Sequence, residues 1–130
     1  MSQIIGHGID LVEIARIAKS IEAHGERFIE RCFTDDEAQY AGSARSPRDM
    51  QRFAARFAAK EAAMKALGTG WSRGIAWTDI EVRVTESGAP ELMLSGRAGQ
   101  IACDIGIQKT IVSLSHTDSH AVASVIAIGS

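Results

Sequence analysis

At 130 residues, 45% of them hydrophobic and 23% charged, the chain is long enough to bury a core without disulfide staples, and it reads as one soluble globular domain. A net charge of −2 excludes a nucleic-acid binder that works by general phosphate attraction and leaves room only for a local basic patch. Cys32 and Cys103 form no CxxC pair, which points to a reducing, cytoplasmic setting, and His7, His24, His116 and His120 have no zinc-site spacing. No membrane segment is expected, because Gly6, His7, Gly8 and Asp10 interrupt the only early apolar run.

Ile4 to Val12 predicts a short buried strand whose Gly6 and Gly8 allow a ligand or another segment close to the backbone. Leu11, Ile14, Ile17, Ala18 and Ile21 then recur at helical spacing, predicting a helix from about Leu11 to Ala23 that ends at Gly25. Asp10 with Glu13 matches a capping box for that helix. A carboxylate at a strand end beside two glycines is equally where a cation sits next to a ligand, so both readings of Asp10 stand. Glu26 to Cys32 is a short helical turn, and Thr34 with Glu37 is a second capping box, opening a helix through about Ala41 with Asp35 and Asp36 in its first turn.

The longest element is a helix from Pro47 to Leu67, with Ser46 as cap, Pro47 in the first turn and Gly68 as the left-handed stop. Phe53, Phe57, Met64 and Leu67 fall on one arc that faces a core, expected to be a sheet, and Lys60 lies inside that arc. Most of the other positions are alanine, so the helix lacks a normal solvated face and should be covered on more than one side, by this chain or by another subunit. Glu61 and Lys65 are either an ordinary i,i+4 pair with Lys60 snorkelling outward, or charges kept on a crowded face for function.

Gly68 to Gly74 is a flexible loop without P-loop chemistry. Ile80, Val82 and Val84 alternate with polar residues and lead through Glu86 to Pro90 into Glu91 to Leu94, a hairpin. Gly96 to Ile105 predicts a helix, and Lys109 to His116 with His120 to Ile128 predicts two strands joined at Thr117, Asp118 and Ser119. Ser115 and His116 point to opposite faces of their strand and no GxSxG elbow is present, which excludes a serine hydrolase. The whole is α+β: a small, mostly antiparallel sheet packed around a long central helix.

Taken in order, Gly8-Ile9-Asp10 with Arg16, Phe33-Thr34 with Glu37, Arg56-Phe57 followed by Lys60-Glu61-Ala62 and Lys65, Gly68-Thr69-Gly70, and Ser113-Leu114-Ser115-His116-Thr117 resemble the holo-acyl-carrier-protein synthases, the short bacterial type of 4′-phosphopantetheinyl transferase. The resemblance spans essentially the whole chain. It implies transfer of the 4′-phosphopantetheine arm of coenzyme A to a serine of apo-acyl carrier protein, in support of fatty acid biosynthesis, with adenosine 3′,5′-bisphosphate as the other product. It further implies that Asp10 and Glu61 hold Mg²⁺, that Lys65 meets phosphate oxygens, and that Arg56, Lys60, Gly68 and Gly70 are further coenzyme contacts. Ser115, His116 and Thr117 are expected at the nucleotide end or its phosphates. The proton acceptor is expected to be Glu61 or Asp36 acting through water, with His116 a weaker candidate. Arg16, then Lys19 and Arg27, are implied contacts for the acidic carrier protein, and a homotrimer with active sites between subunits is the implied assembly. No nucleic-acid or membrane partner is implied.

Overall fold

A computed structural model describes residues 2–70 and 73–130, so Trp71 and Ser72 of the glycine loop lie outside the described residues. Strand β1 (Gln3–Glu13) is followed by helices α1 (Ile14–His24), α2 (Glu26–Cys32), α3 (Asp35–Ala41) and α4 (Pro47–Leu67). A single 3-10 turn at Trp77–Asp79 then leads into strands β2 (Ile80–Val84) and β3 (Pro90–Leu94), helix α5 (Gly96–Asp104), and strands β4 (Ile107–His116) and β5 (His120–Gly129). Strands β1, β5 and β4 form one antiparallel sheet in that order, and β2 with β3 forms a separate hairpin.

Helix α4 begins where local chemistry dictates. Ser46 Oγ accepts from the Asp49 amide at 3.1 Å, the Asp49 carboxylate accepts back from the Ser46 amide at 3.4 Å, and Gly68 stops the helix at φ 76°. One side of α4 lies on the sheet. A Cβ added at Gly8 would overlap the Ala62 carbonyl oxygen, and one at Gly6 would overlap that of Ala66, so only glycine permits this approach of β1 to the helix. The inward residues of β5, Ala121, Ala123, Val125 and Ala127, are small and at most 1% exposed, which lets its backbone come close as well.

The other side of α4 carries the bulk. Phe53 meets Phe33 edge-on at 5.0 Å, Phe57 stacks on Trp77 at 4.6 Å, and Phe28 bridges Phe33 and Phe57. The phenylalanine arc therefore anchors α4 to α2, the start of α3 and the 3-10 turn, not to the sheet as expected. The alanines of α4 are buried within the same chain, Ala62 and Ala66 against β1, so they do not form a surface left open for another subunit.

The expected helix start is also corrected. Leu11, Val12 and Glu13 stay in the ladder opposite Val122, Ala121 and His120, and α1 begins only at Ile14, whose amide donates to the Ser119 carbonyl at 2.9 Å. Its cap position is Glu13, with no side-chain cap bond, so Asp10 is not a helix cap. Ile14, Ile17 and Ile21 are buried as the periodicity requires, while Leu11 turns outward and is 65% exposed. Beside it on the outer face of the sheet lie Ile9 and Ile111, also exposed.

Candidate active site

Asp10 shares its face of β1 with Gly6 and Gly8, the face turned to α4. Lys65 reaches from the last turns of α4 and donates to the Ile9 carbonyl at 2.8 Å and to Asp10 Oδ1 at 3.2 Å. Gly6 opposes Ala66 and Gly8 opposes Ala62, so two strand residues, about 6.6 Å, match four helix residues, about 6 Å. Glu61 lies one helical turn before Lys65 on nearly the same azimuth of α4. An ammonium already resting on Asp10 marks this as a cation-attracting position. Among the described residues no cluster of three His, Cys, Asp or Glu side chains could hold a metal. Two carboxylates with no nitrogen or sulfur donor nevertheless fit a hard divalent ion that completes its shell with water and phosphate oxygens.

A second centre is a cavity of about 800 Å³ between the N-terminal half of α4, the β2–β3 hairpin and the end of β4. Its lining includes Arg48, Arg52, Arg56, Ser115 and His116 and no Asp or Glu, so it attracts anions. Arg56 is only 5% exposed, and its Nε is the one buried side-chain donor without a partner among the described residues. Burial pulls its guanidinium below the usual value, with Tyr40 and Glu37 acting in opposition. An unsatisfied buried donor beside an anion-attracting cavity calls for an acceptor from outside the chain. Thr117 closes the β4–β5 turn by accepting from the Ser119 and His120 amides at 3.2 and 3.1 Å, which fixes the position of His116 just before it.

Two expected coenzyme contacts have polar groups already engaged within the chain. Lys60 is fully buried beneath the same row of α4 that carries Arg56; its Nζ donates to Glu37 Oε1 at 2.7 Å, to the Trp77 carbonyl at 3.1 Å and to the Ile80 carbonyl. Three acceptors use all three protons of the ammonium, so Lys60 neither snorkels outward nor reaches a ligand. Gly68 gives its amide to the Lys65 carbonyl at 3.1 Å and cannot offer it to an anion. Gly70 has φ 55° and open space around its Cα, while Asp36 stands within electrostatic reach of Arg83 on the hairpin. Arg16 and Lys19 are exposed on α1 along a shallow groove that ends at His24, and Arg27 and Arg31 continue the basic surface on α2.

Sequence reasoning missed Glu37 as more than a cap, and it missed Tyr40, Arg48 and Arg52 altogether. The arginines had a legible signal: Arg48, Arg52 and Arg56 recur every four residues on one helix face.

With this geometry in view, the comparisons with known proteins agree in one direction. Residues 6–125 match the family model of the 4′-phosphopantetheinyl transferase superfamily. The holo-[acyl-carrier-protein] synthase of Koribacter versatilis is 49% identical over 123 residues, covering 95% of this chain and 97% of the relative, and that of Geobacter sulfurreducens is 47% identical over 124 residues, covering 95% and 96%. Among solved structures, the Bacillus anthracis holo-(acyl-carrier-protein) synthase in complex with CoA (3′,5′-ADP) superposes with TM-score 0.79 at 37% identity, covering 98% of each chain. The Helicobacter pylori enzyme in complex with coenzyme A superposes with TM-score 0.82 at 30% identity, covering 93% of this chain and 98% of that one. Chain-long identity, shared fold and the acid–lysine centre thus converge, and the chain belongs to the 4′-phosphopantetheinyl transferase superfamily as a holo-[acyl-carrier-protein] synthase.

Proposed function

We propose that the chain transfers 4′-phosphopantetheine from coenzyme A to a serine hydroxyl of apo-acyl carrier protein, serving fatty acid biosynthesis in the cytoplasm. The observation that carries this reading is Lys65 resting on Asp10 where β1 crosses α4, one helical turn beyond Glu61. The serine oxygen attacks the β-phosphorus of the coenzyme pyrophosphate, the bond from that phosphorus to the bridging oxygen breaks, and adenosine 3′,5′-bisphosphate leaves. Asp10 and Glu61 would hold Mg²⁺, which when bound offsets the charge that develops on the pyrophosphate. Lys65 is poised to exchange Asp10 for a phosphate oxygen, keeping a positive charge on the leaving side. The serine proton passes to Glu61 or Asp36 through water, or to His116. Arg56, His116 and the neighbouring arginines receive the phosphate-bearing nucleotide end, and the basic surface of Arg16, Lys19 and Arg27 steers the acidic carrier despite a net charge of −2.

Asp10, Glu61 and Lys65 do not line the arginine cavity, which favours a coenzyme held between copies of the chain. A homotrimer is supported by the outer sheet face, where Ile9 and Leu11, the neighbours of Asp10, are 55% and 65% exposed. Incubating the protein with coenzyme A, Mg²⁺ and apo-acyl carrier protein, then weighing the carrier, should reveal one added phosphopantetheinyl group, and an unchanged mass across several carriers would sink the proposal. Leu11→Glu should lower the solution mass from trimer to monomer by light scattering.

A further inference from the structure

The ring of Tyr40, in the last turn of α3, has the guanidinium carbon of Arg56 4.4 Å from its centre and that of Arg52 at 5.0 Å. Arg52 Nη1 donates to the Tyr40 carbonyl and Arg56 Nη1 to the Arg52 carbonyl, both at 3.4 Å. Two guanidiniums one helical turn apart repel each other, and neither forms an ion pair among the described residues. The face of one aromatic ring, electron-rich and half exposed, replaces the missing carboxylate. A carboxylate there would also hold the arginines, but it would neutralise the cavity, whereas a ring orders them and leaves their charge available to an anion.

We infer that Tyr40 is a positioning residue: its ring pre-orders Arg52 and Arg56 as a paired receptor for the phosphate on the nucleotide end of coenzyme A. This rests on the reading of the arginine cavity given under Proposed function. It adds that Arg52 contacts the same phosphate as Arg56 and that Tyr40 acts only through them. Because each of the two cation–π contacts is worth roughly 0.5–1 kcal/mol near a surface, removing the ring should weaken phosphate-dependent binding about five- to thirtyfold.

The test is calorimetric titration of the full chain with coenzyme A and with 3′-dephospho-coenzyme A, for the parent, Tyr40→Phe and Tyr40→Leu. The parent should prefer coenzyme A. Tyr40→Leu should lose most of that preference while binding the dephospho form as the parent does, and Tyr40→Phe, which keeps the ring, should retain it. Arg52→Gln should lose the preference too, and adding Tyr40→Leu to it should cost less than in the parent. An unchanged preference in Tyr40→Leu, or equal costs in the two backgrounds, overturns the positioning role while the cavity reading survives. A parent that binds both forms equally overturns the cavity reading and this inference with it. Unfolding temperatures measured alongside should agree among the variants, and a loss of both ligands together with a lowered unfolding temperature would assign Tyr40 to the scaffold and overturn the inference.

Discussion

Replacing Lys60 with methionine removes an ammonium from the interior and leaves its partner carboxylate behind. Both side chains of the Lys60–Glu37 pair are 0% exposed. Glu37 Oε1 also accepts from the Thr34 amide at 2.9 Å, and Oε2 accepts from the Val82 amide at 2.8 Å, so the pair fastens α3 and β2 to α4 at one point. Burial lowers the ammonium's affinity for its proton, and Glu37 works against that shift. Breaking such a pair on one side costs about 3–5 kcal/mol, because the survivor is stranded, and a domain of this kind has only about 5–15 kcal/mol to lose. Lys60→Met should therefore shift the urea midpoint strongly. Lys60→Met with Glu37→Gln should recover part of the loss, since the neutral amide still serves one of the two backbone donors. Coenzyme A affinity of folded Lys60→Met, measured by calorimetry, should equal the parent's. A stability loss below about 1 kcal/mol would refute the stranded-charge argument, and a selective loss of coenzyme affinity would return Lys60 to the ligand site.

Three further outcomes are expected. Gly8→Ala should destabilise the fold by on the order of 3 kcal/mol, read from chemical unfolding, because the new methyl group overlaps the Ala62 carbonyl and no flexible side chain can yield. Asp10→Asn should change stability by less than about 1 kcal/mol, its partner Lys65 being half exposed, yet reduce transfer to the carrier on the order of a hundredfold in a timed mass assay. Acid should weaken the fold through two carboxylates held below their usual range: Glu81, chiefly by the Thr34 hydroxyl and then by Arg83, and Asp49, chiefly by the Arg45 amide and then by Ser46. Both shifts are downward, so their contribution is complete above about pH 4.3 and lost as pH falls through the depressed values. Glu81→Gln should flatten the acid limb of a thermal-unfolding series.

How much was legible depended on whether the deciding contacts were local. Helix α4 was read to the residue because Ser46, Pro47 and Gly68 all act within a turn of where they stand. The pairing of Thr34 with Glu37 was legible for the same reason, but the rest of Glu37 was not: Lys60 and Val82 lie far along the chain, and nothing local announces them. Asp10 and Glu13 satisfied a capping rule that the fold does not use. Continuing the ladder from Leu11 to Glu13 against β5 outweighed one cap bond, and β5 is more than a hundred residues away. Gly6 and Gly8 were correctly read as places of close approach, although the sequence did not identify α4 as what approaches. The alanines showed that α4 is covered, and only the sheet's position decided between cover from this chain and cover from another.

The two unlike sides of α4 explain why the site sits where it does. On the sheet side, the Gly8–Ala62 and Gly6–Ala66 contacts fix how far the helix slides along β1, since any Cβ at either glycine would meet a helix carbonyl and lift the helix away. On the opposite side, Lys60 locked to Glu37 and two backbone carbonyls fixes its rotation. Glu61 follows Lys60 by about 100° and Lys65 returns after four residues to nearly the azimuth of Glu61, so a helix pinned by Lys60 fixes the direction of both, and Lys65 meets Asp10. Slide and rotation are the two freedoms that would blur a two-carboxylate site, and each is removed by residues that never touch a ligand. The charges on this crowded helix thus divide by role: Lys60 holds α4 in place, while Glu61, Lys65 and Arg56 are the ones proposed to serve the ligand.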